Sequence, residues 1–147
     1  MLLTWQYFHW KELTTETLYK ILALRAEVFV VEQECAYLDP DDKDEKALHL
    51  CVFNKSNLIG YARVFVQEKP CSIGRVVVQK KHRGKQIGKE LMEKSIALIP
   101  AEKEVFISAQ EHLKTFYESL GFQQSGAGYL EDGIPHIPML LASRSAS

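Results

Sequence analysis

The sequence predicts an α+β domain, with α/β as the related alternative, built around one mixed β-sheet. Residues 47–79 comprise three strand-like segments separated by short turns at 54–57 and 68–70, which is typical of an antiparallel meander. Residues 71–110 then run strand, helix, strand, and such a unit places its two strands parallel in the same sheet. A chain of 147 residues suits one domain with a sizeable core.

A strand and a helix are expected first. Residues 4–10 are aromatic and roughly alternating, which favours a strand. Thr14 is suited to cap the helix that follows. The residues that recur at helical spacing in that helix are Leu18, Ile21, Leu22, Arg25, Val28 and Phe29. Residues 39–46, DPDDKDEK, are predicted to form a polar loop that is a solvated face, or at most attracts a cationic amine.

The second half of the chain is expected to begin with a helix that opens near Gly84 and is stopped by Pro100. Residues 104–110 have the character of a buried strand. Residues 113–122 are predicted to form a short helix, and Gly121 is suited to be its C-cap.

The last strand is expected over residues 134–140, where two prolines favour an edge position because proline cannot donate to a strand ladder. We therefore predict a single domain over residues 1–143, followed by a disordered tail over residues 144–147.

Composition indicates an ordinary globular protein and argues against several other classes. Hydrophobic residues make up 46% and charged residues 25% of the chain, as in ordinary soluble domains, and the net charge of −1 argues against a general nucleic-acid binder. No apolar segment approaches the ~20 residues needed to span a bilayer. The three cysteines lack CxxC spacing, and no signal peptide is recognised, so a cytoplasmic protein with reduced cysteines is expected. No metal is expected, because neither a calcium loop nor zinc-ligand spacing is present.

A cationic corner lies in residues 75–92, RVVVQKKHRGKQIGKELM, between a strand and a helix. The first N–H groups of a helix have no intrahelical partner, and the helix dipole adds positive charge there. The glycines and basic residues of this corner are Gly84, Gly88, Lys80, Lys81, Arg83 and Lys85. Together they suit a phosphate or pyrophosphate site, whereas the alternative is a basic surface turn. The spacing fits neither a P-loop nor a Rossmann fingerprint.

The stretch from Arg83 to Gly88 resembles motif A of the GNAT superfamily of acyl-CoA N-acyltransferases, written Q/R-x-x-G-x-G/A, with Gln86 at the position of the middle glycine. The succession of predicted elements resembles that of the superfamily over nearly the whole chain. Three longer stretches, LRAEVFVVEQECAYLDPDDKDEKALHL, HLKTFYESLGF and EDGIPHIPM, resemble its ElaA-like branch.

The resemblance implies the GNAT fold, a mixed, mostly antiparallel sheet with a central pair of splayed parallel strands flanked by helices. It implies that acetyl-CoA lies between these strands, with pantetheine amides on the backbone of the first and pyrophosphate at the helix that follows. The residues expected to bind acetyl-CoA are Val76, Val77, Val78, Arg83, Gly84, Lys85, Gln86, Ile87, Gly88, Lys89, Ala109, Phe116 and Tyr117.

The resemblance also implies direct attack of an amine on the thioester in a ternary complex, with Tyr117 as the general acid for the CoA thiolate. The amine must lose a proton, and Glu32, His49 and His136 are alternative candidates for the base or for the acceptor site. Asp132 is expected in a turn beside the acceptor.

The sequence leaves three functions to compare. The first is acetyl-CoA-dependent acetylation of a primary amine on a small molecule, peptide or protein. The second is a GNAT fold that binds acyl-CoA as a sensor or scaffold without turnover. The third, a nucleic-acid interaction through the cationic corner, is disfavoured by the net charge of −1. The expected partners are acetyl-CoA and an amine, without nucleic acid or membrane, for a monomer or homodimer.

Overall fold

The computed structural model describes residues 2–145. Its strands are β1 (Leu3–His9), β2 (Leu48–Asn54), β3 (Asn57–Phe65), β4 (Cys71–Val78), β5 (Val105–Gln110), β6 (Gln123–Gln124), β7 (Tyr129–Glu131) and β8 (Ile134–Leu141). Its α-helices are α1 (Thr15–Arg25), α2 (Ile87–Ala97) and α3 (Lys114–Glu118). None of the helices formed by these described residues is long and apolar enough to cross a membrane.

All eight strands form one mixed sheet in the order β1-β2-β3-β4-β5-β8-β6, with β7 also paired to β8. Strands β1 to β4 are antiparallel neighbours, and β5 is antiparallel to β8. The pair β4 and β5 is parallel. The meander and the parallel pair predicted from the sequence are both confirmed.

The two parallel strands diverge soon after they meet. Their pairing is limited to Cys71 with Val105 and Ser72 with Phe106, although both strands continue beyond these residues. On the other side of β4, Tyr61 pairs with Val77 and Arg63 with Gly74, so one extra residue bulges from β4. Arg75 lies in this bulge with φ of 50°. A bulge bends its strand, which directs the end of β4 away from β5 and opens the sheet between them.

Helices cover both faces of the sheet because strand residues alternate between the faces. On one face, Ile21 and Leu24 of α1 pack in a buried cluster with Cys51, Tyr61 and Val77. On the other face, α2 packs against the main core with its buried residues, including Leu91 and Met92.

The first helix begins as the sequence predicts, because Thr14 Oγ1 accepts a hydrogen bond from the Thr17 N–H at 3.1 Å. The predicted continuous helix changes after Arg25 into a π-helical segment, Ala26–Glu32.

The prediction that the acidic loop at residues 39–46 is a solvated face was wrong for two of its aspartates, although residues 40, 42, 43, 45 and 46 are exposed. Asp39 and Asp44 are buried. The fully buried guanidinium of Arg25 contacts Asp39 Oδ2 and Asp44 Oδ1, each at 2.8 Å, and Arg63 contacts Asp44 at 3.0 Å. The loop therefore folds back onto arginines of the sheet and of α1.

The same network extends toward the bulge of β4. Arg75 Nε lies 2.9 Å from Asp39 Oδ1, and Arg63 contacts both carboxylate oxygens of Asp41. These arginines pair with Asp39, Asp41 and Asp44, whereas Asp42 and Glu45 of the same loop are exposed.

Two further expectations differ from the structure. Strand β8 is not an edge strand, because β6 and β7 pair with its outer side. Its prolines are tolerated because Pro135 lies beyond the last pairing with β5, and Pro138 falls between the paired segments of β6 and β7. The predicted disordered tail is wrong at Arg144, whose N–H donates to the Ala101 carbonyl at 2.7 Å. Ala146 and Ser147 lie outside the described residues.

Candidate active site

A cavity of about 890 Å³ opens where β4 and β5 diverge. This volume is within the range of small-molecule and cofactor sites, about 300–1,000 Å³. Its walls come from β4, the beginning of α2, α3, the end of β5, the π-helical segment and the hairpin of β7 and β8. The site therefore lies where the topology separates two neighbouring strands.

The edge of β4 forms one wall. Val76, Val77 and Val78 all line the cavity. Because pairing with β5 ends at Ser72, the edge of β4 that faces β5 borders the cavity instead of a strand partner. Backbone N–H and C=O groups on such an edge are suited to hydrogen bond with an extended amide ligand.

The beginning of α2 lies at the same cavity. The first intrahelical bond runs from the Glu90 N–H to the Gln86 carbonyl at 3.1 Å, so the N–H groups of Ile87, Gly88 and Lys89 have no intrahelical acceptor. Gln86, Ile87, Gly88 and Lys89 line the cavity. The helix starts three residues after Gly84, which lies in the preceding turn with φ of 81°.

Gln86 takes the left-handed conformation at the N-cap of α2, with φ of 64° and ψ of 14°. Glycine adopts this conformation without a steric penalty, whereas glutamine pays one. The residue that departs from motif A thus keeps the backbone geometry that a glycine would favour.

Arg83 and Glu32 also line the cavity and are paired with each other. Arg83 Nη1 lies 2.5 Å from Glu32 Oε2, and its Nη2 lies 3.0 Å from Oε1. Arg83 Nε donates to the Val78 carbonyl at 3.0 Å. The hydrogen bond from Arg83 lowers the pKa of Glu32, which makes this carboxylate a weaker base than an ordinary glutamate.

Tyr117 of α3 lines the cavity and is 8% exposed. Its ring makes edge contacts with Phe116 and Phe122, at centroid distances of 5.1 and 6.1 Å. Burial raises the pKa of Tyr117 to about 12, so the phenol keeps its proton at neutral pH. The chain leaves α3 through Gly121, whose φ of 100° fits the predicted role in ending the helix.

The two candidate histidines are in different places. His49 is completely buried and does not line the cavity; its ring nitrogens lie 2.6 Å from Tyr61 Oη and 2.8 Å from the Asp44 carbonyl. Burial lowers its pKa, which favours a neutral structural imidazole, and its position argues against a role as base. His136 does line the cavity, with Nε2 3.4 Å from Glu131 Oε2.

Two other predicted ligand residues lie outside the cavity lining. Ala109 is buried in the core, because β5 alternates and its polar residues Ser108 and Gln110 lie at the cavity instead. Lys85 also does not line the cavity. The period of two along β5, with alanine between serine and glutamine, is the signal that would have selected Ser108 and Gln110.

Glu131 is a cavity residue that the sequence reasoning missed. It ends β7 and pairs with Ile134, across a two-residue turn formed by Asp132 and Gly133. Both turn residues have positive φ, 51° and 78°, as Asp-Gly hairpin turns require. The dipeptide therefore predicts the hairpin, and the hairpin places Glu131 beside His136. Among residues 2–145, no group of three or more His, Cys, Asp or Glu side chains is arranged to hold a metal ion.

Comparisons with known proteins agree with this architecture. A family model described as an acetyltransferase (GNAT) domain matches residues 14–143. Protein ElaA of Escherichia coli K12 is 40% identical over 146 residues, which covers 94% of this chain and 95% of ElaA. The crystal structure of E. coli ElaA superposes with a TM-score of 0.90 and 38% identity, over 95% of this chain and 99% of that one. The crystal structure of an acyl-CoA N-acyltransferase from Pseudomonas aeruginosa superposes with a TM-score of 0.87 and 39% identity, over 95% of this chain and 99% of that one.

Proposed function

This chain belongs to the acetyltransferase (GNAT) family, in its ElaA-like branch, and we propose that it transfers an acetyl group from acetyl-CoA to a primary amine. The transfer occurs by direct attack of the amine on the thioester while both substrates are bound. The acceptor is a small-molecule, peptide or protein amine.

The observation that most directly supports the proposal is the meeting of three features at one cavity. These are the unpaired edge of β4, the N-terminus of α2 and the phenol of Tyr117. The edge is suited to the pantetheine amides, and the helix N-terminus to the pyrophosphate. At Gly88 an added Cβ would make only an ordinary contact, 3.8 Å from Val78 Cγ2, so packing within the protein does not itself require glycine there.

Tyr117 is proposed as the proton donor to the departing thiolate. Aminolysis of a thioester forms the N–C bond, breaks the C–S bond and leaves the CoA sulfur with negative charge. A buried phenol that keeps its proton can donate a hydrogen bond to this sulfur and then its proton. The free cysteines Cys35, Cys51 and Cys71 support a reducing compartment such as the cytoplasm.

A thermal-shift titration with acetyl-CoA, followed by a free-CoA assay across a panel of amines, tests the proposal. A ligand at 100 times its Kd stabilises a protein by ~2.7 kcal/mol, so saturating acetyl-CoA is expected to raise the Tm clearly. Absence of any shift would reject the donor site. A shift without free-CoA release from any amine would instead identify a protein that binds acyl-CoA without turnover.

A further inference from the structure

We propose that Glu131 and His136 form a proton relay in which His136 Nε2 removes the proton from a cationic primary amine and Glu131 positions and stabilises the protonated ring. This inference rests on the proposed acetyl transfer. It assigns the base of the reaction and commits the acceptor to amines that enter as ammonium ions.

The relay residues are fixed by three neighbouring strands at the end of the cavity bordered by β5. His136 pairs with Tyr129 on β7 and with Gln110 on β5. Ser108 Oγ hydrogen bonds to Tyr129 Oη and donates to Glu131 Oε1 at 3.3 Å. The rings of Tyr129 and His136 are stacked at a centroid distance of 6.2 Å. Both groups of the relay are therefore held in place before any substrate binds.

The hydrogen bonds of His136 determine which nitrogen is available. Its Nδ1 lies 2.7 Å from the Ile134 carbonyl oxygen, which can only accept, so Nδ1 carries the proton of the neutral ring. Nε2 of the neutral ring is then a lone-pair acceptor. It is directed toward Glu131, and the ring is almost fully buried while the Glu131 side chain is 48% exposed.

Two acceptors facing each other at 3.4 Å are unfavourable unless a proton or a cationic donor lies between or beside them. An ammonium group at this position would donate to both. Transfer of one of its protons to Nε2 gives an imidazolium that remains paired with the carboxylate, so the pair stabilises the state that follows deprotonation.

The other candidates for the base are less suited. Glu32 is held by two contacts from Arg83, and His49 is buried outside the cavity. Of the three candidates, His136 is thus the one that lies at the cavity with its nitrogen facing a carboxylate and not an arginine.

The protons of the reaction then balance. An alkylammonium ion, with a pKa near ~10.4, gives its first proton to His136 Nε2, which later returns it to solvent. The neutral nitrogen attacks the thioester carbon, and the C–S bond breaks. The CoA sulfur takes the phenol proton of Tyr117, and the second proton, lost from the amide nitrogen, restores the phenol. The products are the N-acetyl amide and the thiol of CoA.

The test compares two classes of acceptor in His136→Gln and Glu131→Gln. With an alkylamine, which must lose a proton, we expect free-CoA release to fall about 10²-fold in His136→Gln and about 10-fold in Glu131→Gln. With an arylamine, which is neutral at pH 7, we expect less than a threefold change in either variant. Acetyl-CoA binding, measured by thermal shift, is expected to be unchanged. Exposed residues away from the cavity give matched controls, His9→Gln on β1 and Glu102→Gln after α2.

If the rate of free-CoA release fell equally with the alkylamine and the arylamine, the relay would be rejected and the residues would only shape the acceptor site. Unchanged alkylamine acetylation in both variants would reject it as well. If His136→Gln fails to fold, Glu131→Gln gives the same comparison. A wild-type protein that binds acetyl-CoA but acetylates neither class would reject the proposed function, and the relay with it.

Discussion

The guanidinium of Arg83 contacts both carboxylate oxygens of Glu32, at 2.5 and 3.0 Å, inside the cavity. The two residues are 51 positions apart, on the turn before α2 and at the end of the π-helical segment. Arg83 occupies the first position of the stretch that resembles motif A, and the proposed acetyl-CoA site places the pyrophosphate at the adjoining helix. In that proposal the carboxylate of Glu32 competes with the pyrophosphate for the same cation.

Glu32→Gln is expected to increase affinity for CoA by up to about fivefold, because a partly exposed ion pair is worth ~0.2–1 kcal/mol and its loss frees Arg83. Isothermal titration calorimetry at low ionic strength measures this change, and added salt should reduce it. Glu102→Gln, on an exposed turn, is the control. Weaker CoA binding in Glu32→Gln would show that the carboxylate supports the ligand.

Tyr117→Phe is expected to lower the rate of free-CoA release about 10²-fold, because the variant lacks the proton donor. The change in stability should stay below about 1 kcal/mol, since the ring contacts with Phe116 and Phe122 are retained. Steady-state kinetics and urea denaturation measure the two effects. Tyr19→Phe, on the exposed side of α1, is the control, and unchanged turnover in Tyr117→Phe would reject the role as acid.

The raised pKa of Tyr117 also predicts that wild type and Tyr117→Phe differ in how their stability changes at alkaline pH. The native phenol ionises near pH 12, whereas an unfolded tyrosine ionises near pH ~10, so the unfolded state binds fewer protons between these values. The wild type should therefore lose stability from about pH 10 upward relative to Tyr117→Phe. If both proteins lost the same stability above about pH 10 in urea denaturation, the result would contradict the burial of this phenol.

Gln86→Gly is expected to stabilise the protein by up to about 1 kcal/mol. A left-handed L-residue costs ~1–2 kcal/mol, and part of the gain is offset because glycine increases the freedom of the unfolded chain. Gln86→Val should destabilise by about 1–2 kcal/mol, since β-branched residues disfavour this conformation. Urea denaturation measures both changes. Lys85→Gly, at a residue without positive φ, should destabilise the protein slightly. If glycine changed stability in the same direction at both positions, the left-handed conformation of Gln86 would not be the cause.

Asp44→Asn is expected to destabilise the protein by about 3 kcal/mol at pH 7, because Arg25 and Arg63 lose a buried partner. Burial raises the pKa of Asp44, but hydrogen bonds from the two arginines outweigh it and the pKa is lowered. The contribution of the carboxylate is thus present above about pH 4 and is lost as pH falls through the lowered pKa. Urea denaturation at acidic pH should therefore show a smaller difference in the free energy of unfolding between wild type and variant.

Asp42→Asn is the matched control, because this aspartate of the same loop is exposed. A change beyond about 0.5 kcal/mol there would indicate that loop conformation, and not the buried ion pairs, determines the stability.

Local patterns predicted much of the fold and part of the candidate site. The meander, the parallel pair and the capping by Thr14 follow from residues close together in sequence. The turn at Gly84 and the helix that contains Gly88 were likewise located within a few residues. Resemblance to the family supplied Tyr117, which short-range pattern alone did not distinguish from a core tyrosine.

The sequence by itself determined the order of strands and helices, because hydrophobic periodicity and turn residues act over short distances. Only the tertiary structure decided which polar groups are buried and which line the cavity. Arg25 and Asp44 are 19 residues apart and meet only when the acidic loop folds over the sheet. Glu131 and His136 likewise face the cavity because β4 and β5 diverge and leave β5, β7 and β8 as one wall. Such placements depend on strand pairing across the whole chain, which the residues of any single segment do not specify.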